Sequence, residues 1–444
     1  MNKRSKIVLA VVLALCISFT LAACGGGAAQ QPAEPTPGPS DTATTPAAPS
    51  GDAPATIKIG IPTPFTGVIS GFGKASPWTE NLAADAVNAQ GGIYIKDYDK
   101  SIPIELVFAD SESDQTKTTE VAEAMATKDK VNMFLARHTP DTTIPVALTG
   151  EKYGIPTVSN GCPTDPLMAA GPFKWVYQGF WDTPGSVGAF VSMWKDLGYG
   201  PGTKIGLLLP NDADALAWKA TILKLFDQEG FIAVDSGGYE MGNQDWTNII
   251  NIFKQGGVQI ICGNDIAPNF SSFITQATQQ DLHYEMITMG RAFLFPSDAN
   301  ALPMSVINGL TNELWWTPAL PFKSSIDGMT AQELADKWMA YSNDDWYATL
   351  GDKYSAMEIA INALKNAASL DPEKIRLALE ATDLDTIEAH IKYVDHVCVT
   401  PVGGGQWIMN DDGKTVSIHL VNTGNFPDNV QVERPITALK DLAN

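Results

Sequence analysis

Residues 57–74 read IKIGIPTPFTGVISGFGK, an apolar run followed by a loop that contains several glycines. The run at 57–61 predicts a buried strand that ends at Pro62, because short apolar runs bounded by turn residues are typical of buried strands. Apolar residues at helical spacing follow and stop at a glycine pair, and a second strand is predicted at 104–109. Strand, helix and strand in this order predict a parallel sheet with helices on its faces.

The same alternation continues along the chain and begins again after residue 181. Two more strands of the first set are predicted at 131–136 and 155–158. A second set of strands is predicted at 204–209, 231–234, 258–262 and 286–289, with helices between them. The predicted fold class is therefore α/β, with two parallel sheets in tandem.

The first residues predict a signal peptide at 1–23. Three basic residues precede an apolar run at 7–20 that is short for a membrane span. Leu-Ala-Ala-Cys at 21–24 resembles the bacterial lipobox, which implies cleavage before Cys24 and attachment of lipid to its sulfur. An ordinary secretory signal with an accidental cysteine is the alternative. Since two or more acyl chains anchor a protein stably, we expect an extracytoplasmic protein held on the membrane by lipid on Cys24.

Residues 24–56 form a low-complexity segment that begins at this cysteine. From residue 25 the segment contains no Ile, Leu, Val, Phe, Tyr or Trp. Such a segment cannot bury enough apolar surface to offset the entropy lost on ordering. We therefore predict a disordered tether between the lipidated cysteine and a folded body that begins at residue 57.

Composition and charge narrow the classes of function. The net charge of −21 argues against nucleic-acid binding, which needs a basic face, and against adhesion to anionic lipid. Cys162, Cys262 and Cys398 lie in the body without a CxxC motif, so we expect no disulfide framework, although a single pair is left open. His390, His396 and Cys398 match no zinc-binding spacing, and we expect neither a metal nor a cofactor.

Four stretches together resemble the type I solute-binding proteins of ABC importers, and more narrowly their leucine/isoleucine/valine-binding branch. They are IKIGIPTPFTGVISGFGK, a helix ending in NAQGG, LVFADSESD, and GEKYGIPTVSNGCPTDPL. The resemblance implies two Rossmann-like lobes joined by a hinge of three crossovers, near Gly179, Trp316 and Lys414. Lobe 1 would then comprise 57–179 and 317–413, and lobe 2 would comprise 180–316 and 414–444.

Ligands of open parallel sheets bind beyond the carboxyl ends of the strands, where helix N-termini present free N–H groups. The predicted loops at these positions supply the candidate ligand-binding residues. These are Phe72, Trp78, Arg137, His138, Thr139, Thr142, Cys162, Thr164, Trp181, Asp212, Asp265 and Arg291.

Two kinds of side chain among these candidates have a specific expected role. Arg137 and Arg291 could each hold a carboxylate through two parallel hydrogen bonds. Phe72, Trp78 and Trp181 could form apolar or stacking walls. The structural alternatives are ion pairs for the arginines, core packing for the tryptophans and helix capping for the threonines.

Amino-acid binders of this branch use hydroxyls and N–H groups of lobe 1 for the ligand carboxylate, and an acidic residue of lobe 2 for the amine. Here the serine-rich turn after the third strand is replaced by RHTPDTT, and Pro163 stands where a hydroxyl is common. Arg291 stands near the amine-binding position. We therefore expect a carboxylated or otherwise anionic organic solute, such as an aromatic acid, with an amino acid as the alternative.

The resemblance implies a component of an importer and not an enzyme. A monomer would capture the solute by hinge closure and pass it to ABC permease subunits in the membrane, without binding nucleic acid. A sensor of the same fold that signals to a receptor is the alternative. A hydrolase is not expected, because the sequence has no G-x-S-x-G elbow and no visible pair of nucleophile and base.

Overall fold

The computed structural model describes residues 52–442. The predicted signal peptide, the predicted lipidation site Cys24 and the predicted tether up to residue 51 lie outside the described residues. Within 52–442, no helix is both long enough and apolar enough to cross a membrane.

The described chain alternates between strands and helices. The strands are β1 (Ile57–Thr63), β2 (Ile93–Ile95), β3 (Lys100–Ile102), β4 (Ile104–Asp110), β5 (Met133–Ala136), β6 (Thr157–Ser159), β7 (Val176–Gly179), β8 (Lys204–Leu208), β9 (Ile232–Asp235), β10 (Ile260–Asn264), β11 (Met286–Gly290), β12 (Thr311–Leu314), β13 (Asp383–Asp385), β14 (His390–Lys392), β15 (Val397–Cys398), β16 (Gly403–Met409) and β17 (Val416–Asn422). The α-helices are α1 (Ser76–Asn88), α2 (Gln115–Ala124), α3 (Pro140–Tyr153), α4 (Thr164–Ala169), α5 (Thr183–Asp196), α6 (Ala213–Glu229), α7 (Thr247–Gly256), α8 (Ala267–Gln279), α9 (Pro296–Ala299), α10 (Met304–Ile307), α11 (Ala331–Ser342), α12 (Thr349–Ala367) and α13 (Pro372–Glu380).

Two large sheets organise these elements. The first sheet has the strand order β15-β7-β6-β5-β1-β4, and all of its strands run parallel. The second sheet has the order β17-β16-β12-β11-β10-β8-β9, in which β16 and β17 run antiparallel to their neighbours. The prediction of an α/β fold with parallel-strand sheets is therefore confirmed.

Strand β1 runs through Pro62 and ends at Thr63, beyond the predicted end. It pairs with β4 along its whole length, whereas its pairing with β5 involves only Ile59 and Gly60. Because proline lacks an N–H group, it fits at a position of the strand that pairs with one neighbour only.

The chain passes between the two sheets three times. It leaves the first sheet after β7, leaves the second after β12, and returns to the second between Cys398 in β15 and Gly403 in β16. The predicted position of the third connection, near Lys414, is therefore wrong, and residues 403–409 pack with the second sheet. The glycines of the run GGGQWIM suggest a turn in the sequence. In the structure a Cβ at Gly405 would lie 2.7 Å from the Ile418 side chain, so close packing of this strand requires glycine there.

Strand β12 has the sequence TNEL and is buried although it is mostly polar. Its side chains find partners on neighbouring elements: the Thr311 hydroxyl donates to the Ile287 carbonyl, and the Trp407 indole donates to the Asn312 amide oxygen at 2.9 Å. Since each buried polar group is costly without a hydrogen bond, these contacts make a polar central strand possible. The third polar residue of this strand, Glu313, is part of the candidate functional site.

Candidate functional site

A cleft lies where the carboxyl ends of strands from both sheets meet. It contains about 320 Å³ of empty space, including the part that is open to solvent. The loops of the first sheet contribute Phe72, His138, Thr139, Pro140, Gly161 and Pro163; the elements of the second contribute Asp214, Asn264, Arg291, Leu294 and Glu313; and the segments after β7 and β12 contribute Phe180, Trp181 and Trp315.

Five of the residues predicted from the sequence line this cleft. They are Phe72, His138, Thr139, Trp181 and Arg291. The other predicted residues are not among its lining: Trp78, Arg137, Thr142, Cys162, Thr164, Asp212 and Asp265. Most of the latter support the lining residues or the helices that carry them.

Arg137 is the predicted residue whose surroundings differ most from expectation. Its side chain is fully buried, and its guanidinium lies 3.1 Å from a carboxylate oxygen of Glu80 and 3.1 Å from one of Asp352. The other Asp352 oxygen accepts a hydrogen bond from the indole of Trp315, a cleft residue, at 3.1 Å. The guanidinium is thus taken up by a buried ion pair behind the cleft wall, which is the structural alternative for this arginine.

The predicted hydroxyl and thiol groups serve the local structure of the first sheet. Thr139 and Thr142 form a capping box at the start of α3. The Thr164 hydroxyl donates to the Phe180 carbonyl at 2.8 Å. Cys162 is buried, and this burial raises the pKa of its thiol well above the ordinary value, which makes it unreactive.

Trp78 and Asp265 take part in other contacts. Trp78 is half-buried and stacks on Tyr341, with ring centroids 5.6 Å apart. Asp265 is buried, where one carboxylate oxygen accepts a hydrogen bond from the Tyr239 hydroxyl and the other accepts one from the Ile266 N–H group. Trp78 therefore packs in the core, as its structural alternative predicted, and Asp265 organises the second sheet beside the cleft.

Arg291 lines the cleft, but its charge is already balanced. It lies 2.7 Å from Asp212, the N-cap of α6, and 3.4 Å from Asp214 in the first turn of that helix. Burial opposes its charge, and the two aspartates more than offset this effect, so the pKa of its guanidinium lies above the ordinary value. An anionic solute would have to compete with two carboxylates that are already in place.

Two cleft residues have unusual backbone conformations. His138 has a φ of +94° and Arg291 has a φ of +63°, in the region that favours glycine. Each such residue costs on the order of 1–3 kcal/mol, and such strain is concentrated at functional sites. Arg291 directly follows β11 and His138 is the second residue after β5, so both strained residues lie at strand ends that form the cleft.

Asp214 and Glu313 are cleft carboxylates that the sequence reasoning missed. Burial raises the pKa of Asp214 to about 6 and that of Glu313 to about 7. One Glu313 oxygen accepts the N–H group of Arg291 at 2.9 Å, and its second oxygen has no hydrogen-bond partner among the described residues. Asp214 follows the predicted Asp212 by two residues and was accessible to the same reasoning, whereas Glu313 lies on a strand without a recognisable pattern.

Three aromatic rings form a continuous wall of the cleft. The Phe180 ring centroid lies 5.0 Å from that of Trp181 and 5.2 Å from that of Trp315, and the two indoles are 6.1 Å apart. The indole N–H group of Trp181 is buried without a hydrogen-bond partner among the described residues. Since Phe180 and Trp315 follow β7 and β12, this wall is built from the connections between the two sheets.

No cluster of three or more metal-ligating side chains occurs within residues 52–442. The cleft lining contains polar side chains and aromatic rings.

Comparisons of the sequence with known proteins and protein families point to the same family. The sequence model of the periplasmic binding protein family matches residues 56–414. A leucine-, isoleucine-, valine-, threonine- and alanine-binding protein of Pseudomonas aeruginosa is 22% identical over 335 residues, which are 74% of this chain and 84% of that protein.

Solved structures match over nearly their whole length. The branched-chain amino acid transporter substrate-binding protein LivJ from Streptococcus pneumoniae, in complex with isoleucine, matches with a TM-score of 0.67 at 20% identity, over 83% of this chain and 99% of that chain. An ABC transporter solute-binding protein from Rhodopseudomonas palustris, in complex with 3,4-dihydroxybenzoic acid, matches with a TM-score of 0.66 at 14% identity, over 84% and 99%. At these identities the structures establish a shared fold.

The family model covers the greater part of the described chain, including every strand of the first sheet and the strands of the second that line the cleft. The relationship to type I solute-binding proteins that the sequence predicted is confirmed. The chain therefore belongs to the periplasmic binding protein family.

Proposed function

We propose that this protein is the substrate-binding lipoprotein of an ABC importer, and that it captures one small solute by closing two lobes around the cleft. The observation that carries the proposal is the construction of the cleft, because its lining comes from both sheets and from the connections between them. A solute in this position gains its full set of contacts only in the closed state, so it favours that state by the contacts it adds.

The proposed lobes follow the two sheets. Lobe 1 comprises 57–179 and 317–398, and lobe 2 comprises 180–316 and 403–442, with Phe180, Trp181 and Trp315 at the connections. Helix α6 of the second lobe packs against α3 and α4 of the first, which supports a closed arrangement. The names of similar proteins, among them a branched-chain amino acid transporter substrate-binding protein, support a role in import.

A ligand screen with two readouts tests this proposal. The mature chain is mixed with amino acids, organic acids, aromatic acids, amides and organic amines, and its thermal unfolding is followed. A true solute at about 100 times its Kd should raise the Tm by about 3 °C or more, because it binds only the folded state. The same solute should lower the radius of gyration in X-ray scattering, and it should be recovered chemically unchanged. A full screen without a Tm increase would contradict the proposal.

The membrane anchor leads to a separate prediction. Replacement of Cys24 by Ser should move the protein from the membrane fraction to the soluble fraction, because a hydroxyl cannot form the thioether that carries the lipid. Cell fractionation and incorporation of labelled palmitate are the measurements. Replacement of Cys16, which lies within the apolar run of the predicted signal peptide, is the matched control and should leave the protein anchored. Persistent labelling of the Cys24 variant would show that the predicted anchor is wrong.

A further inference from the structure

The charges around the cleft are predominantly negative. Asp212, Asp214 and Glu313 lie at its second-sheet side, and the half-buried Asp141 lies close enough to affect the pKa of Asp214. Among the described lining residues, Arg291 is the one with a permanent positive charge, and Asp212 and Asp214 already pair with it. One Glu313 oxygen is an acceptor without a hydrogen-bond partner among the described residues, and the charge of Arg291 lowers the pKa of Glu313 less than burial raises it.

His138 adds no positive charge to the predominantly negative surroundings of the cleft. It is buried, and burial, with the nearby charges of Lys353 and Arg137, holds the pKa of its imidazole well below the ordinary value. Its ring is therefore neutral at physiological pH.

The first sheet offers few donors to a carboxylate. Helix α3 starts with Pro140 and α4 is preceded by Pro163, and neither residue has an N–H group. The Thr164 N–H group donates to the Trp181 carbonyl at 3.0 Å, and the Thr164 hydroxyl donates to the Phe180 carbonyl. Asp141 places a negative charge in the first turn of α3. The N-termini of α3 and α4, where anions bind in other open parallel sheets, are therefore unsuited to binding an anion here.

The aromatic wall supplies the complementary feature. Phe180, Trp181 and Trp315 are in mutual contact and line the same cleft as the unpaired Glu313 oxygen. Ring faces attract cations through their negative quadrupole, and this attraction is stronger where water is excluded. Carboxylates and aromatic ring faces together form an environment that stabilises a cationic nitrogen.

We propose that the solute is an organic cation, an ammonium or quaternary ammonium compound without a carboxylate, whose charged nitrogen lies between Glu313 and the rings of Phe180, Trp181 and Trp315. This inference rests on the proposed capture function and replaces the anionic solute expected from the sequence.

Calorimetric titration of the mature chain with five small probes, which represent four charge classes, tests the charge of the solute. Choline and butylammonium represent the cation, isoleucine the zwitterion, benzoate the anion and butyramide the neutral amide. We expect a cation to bind at least about tenfold more tightly than each of the other three classes. Tighter binding of isoleucine, benzoate or butyramide would overturn the cation assignment and leave the capture function standing. A failure of the whole ligand screen described above would instead remove the capture function.

A matched pair of variants tests the position of the charge. Glu313→Gln keeps the size of the side chain and an acceptor for the Arg291 N–H group, and it should weaken cation binding by about tenfold or more. Glu358→Gln is the control, because Glu358 is also buried with its pKa raised to about 7, but it contacts Ser325 and Ile387 away from the cleft. The control should bind the cation as the unchanged protein does. Equal affinities of all three proteins would overturn the assignment.

The pH dependence of the unchanged protein gives a readout that needs no variant. Glu313 faces Arg291 and Asp214, and Asp214 also faces Asp212 and Asp141. Because burial raises the pKa of Glu313 to about 7 and that of Asp214 to about 6, both carboxyls ionise more fully as the pH rises from 5 to 8. Cation affinity should increase over this range, with release of protons on binding. An affinity that falls with rising pH would contradict the inference.

Discussion

Replacement of Arg137 by Met should lower the free energy of unfolding by about 3–5 kcal/mol at pH 8, because it removes the guanidinium that pairs with two buried carboxylates and leaves the buried Lys353 as the cation near them. Glu80 and Asp352 are both buried and each lies 3.1 Å from the guanidinium. Burial already raises the pKa of Glu80 to about 7, and the charges of Arg137 and Lys353 oppose that shift. Urea denaturation of the variant and the unchanged protein is the measurement.

The loss caused by this variant should be smaller at pH 5 than at pH 8. Without Arg137 the pKa of both carboxyls rises further above its value in the unfolded chain, so the folded state holds extra protons, and stability falls as the pH rises through this range. As the pH falls the carboxyls take up protons, and a protonated carboxyl needs no cation beside it. Lys152→Met, which removes an exposed ion pair with Glu123, is the control and should leave the free energy of unfolding nearly unchanged. Full stability of Arg137→Met at both pH values, with a loss of solute affinity alone, would favour the role in ligand binding that the sequence predicted.

Replacement of Gly71 by Val should weaken solute binding by about 10- to 100-fold and leave the stability of the ligand-free protein nearly unchanged. A Cβ at Gly71 would lie 2.8 Å from two ring carbons of Phe295. This ring follows β11 of the second sheet and packs edge-on against Phe72, which precedes α1, and against Tyr347, which precedes α12. The extra side chain would therefore obstruct contact between the two lobes and disfavour the closed state alone. Calorimetric titration with the solute from the screen measures the effect.

Two controls separate this mechanism from general damage. Gly200→Val adds the same atoms in a turn where no atom lies within 4 Å of the new Cβ, and it should not affect binding. In a Phe295→Ala background, Gly71→Val should have little further effect, because the obstructing ring is gone and the two changes are not additive. Equal losses from Gly71→Val with and without the Phe295 ring would contradict closure through this contact.

The regular part of the fold was accessible from the sequence. Strands β1, β4, β5 and β6 and strands β8 to β11 have apolar runs between turn residues, and the structure places a strand at each of these predicted positions. Strand β12 has no such run, since Thr311, Asn312 and Glu313 are buried through partners on other elements. Such partners are not visible in a local pattern.

The site was predicted in part, and for similar reasons. The loops after the strands pointed to Phe72, His138 and Trp181, and the structure places these three residues in the cleft lining. The sequence could not distinguish Arg137 from Arg291, because both follow a strand of a parallel sheet. The two arginines differ in tertiary structure, because Glu80 and Asp352 enclose the Arg137 guanidinium away from the cleft.

Hydrogen–deuterium exchange of the mature chain, with and without its solute, tests most directly whether loops of both sheets enclose one bound molecule. Saturating solute should slow amide exchange at 138–143 and 161–164 in the first lobe and also at 212–216 and 290–294 in the second. Protection should appear in both sets at the same solute concentration, because the closed state buries them together. Protection restricted to one lobe, or located at segments that do not line the cleft, would contradict the account.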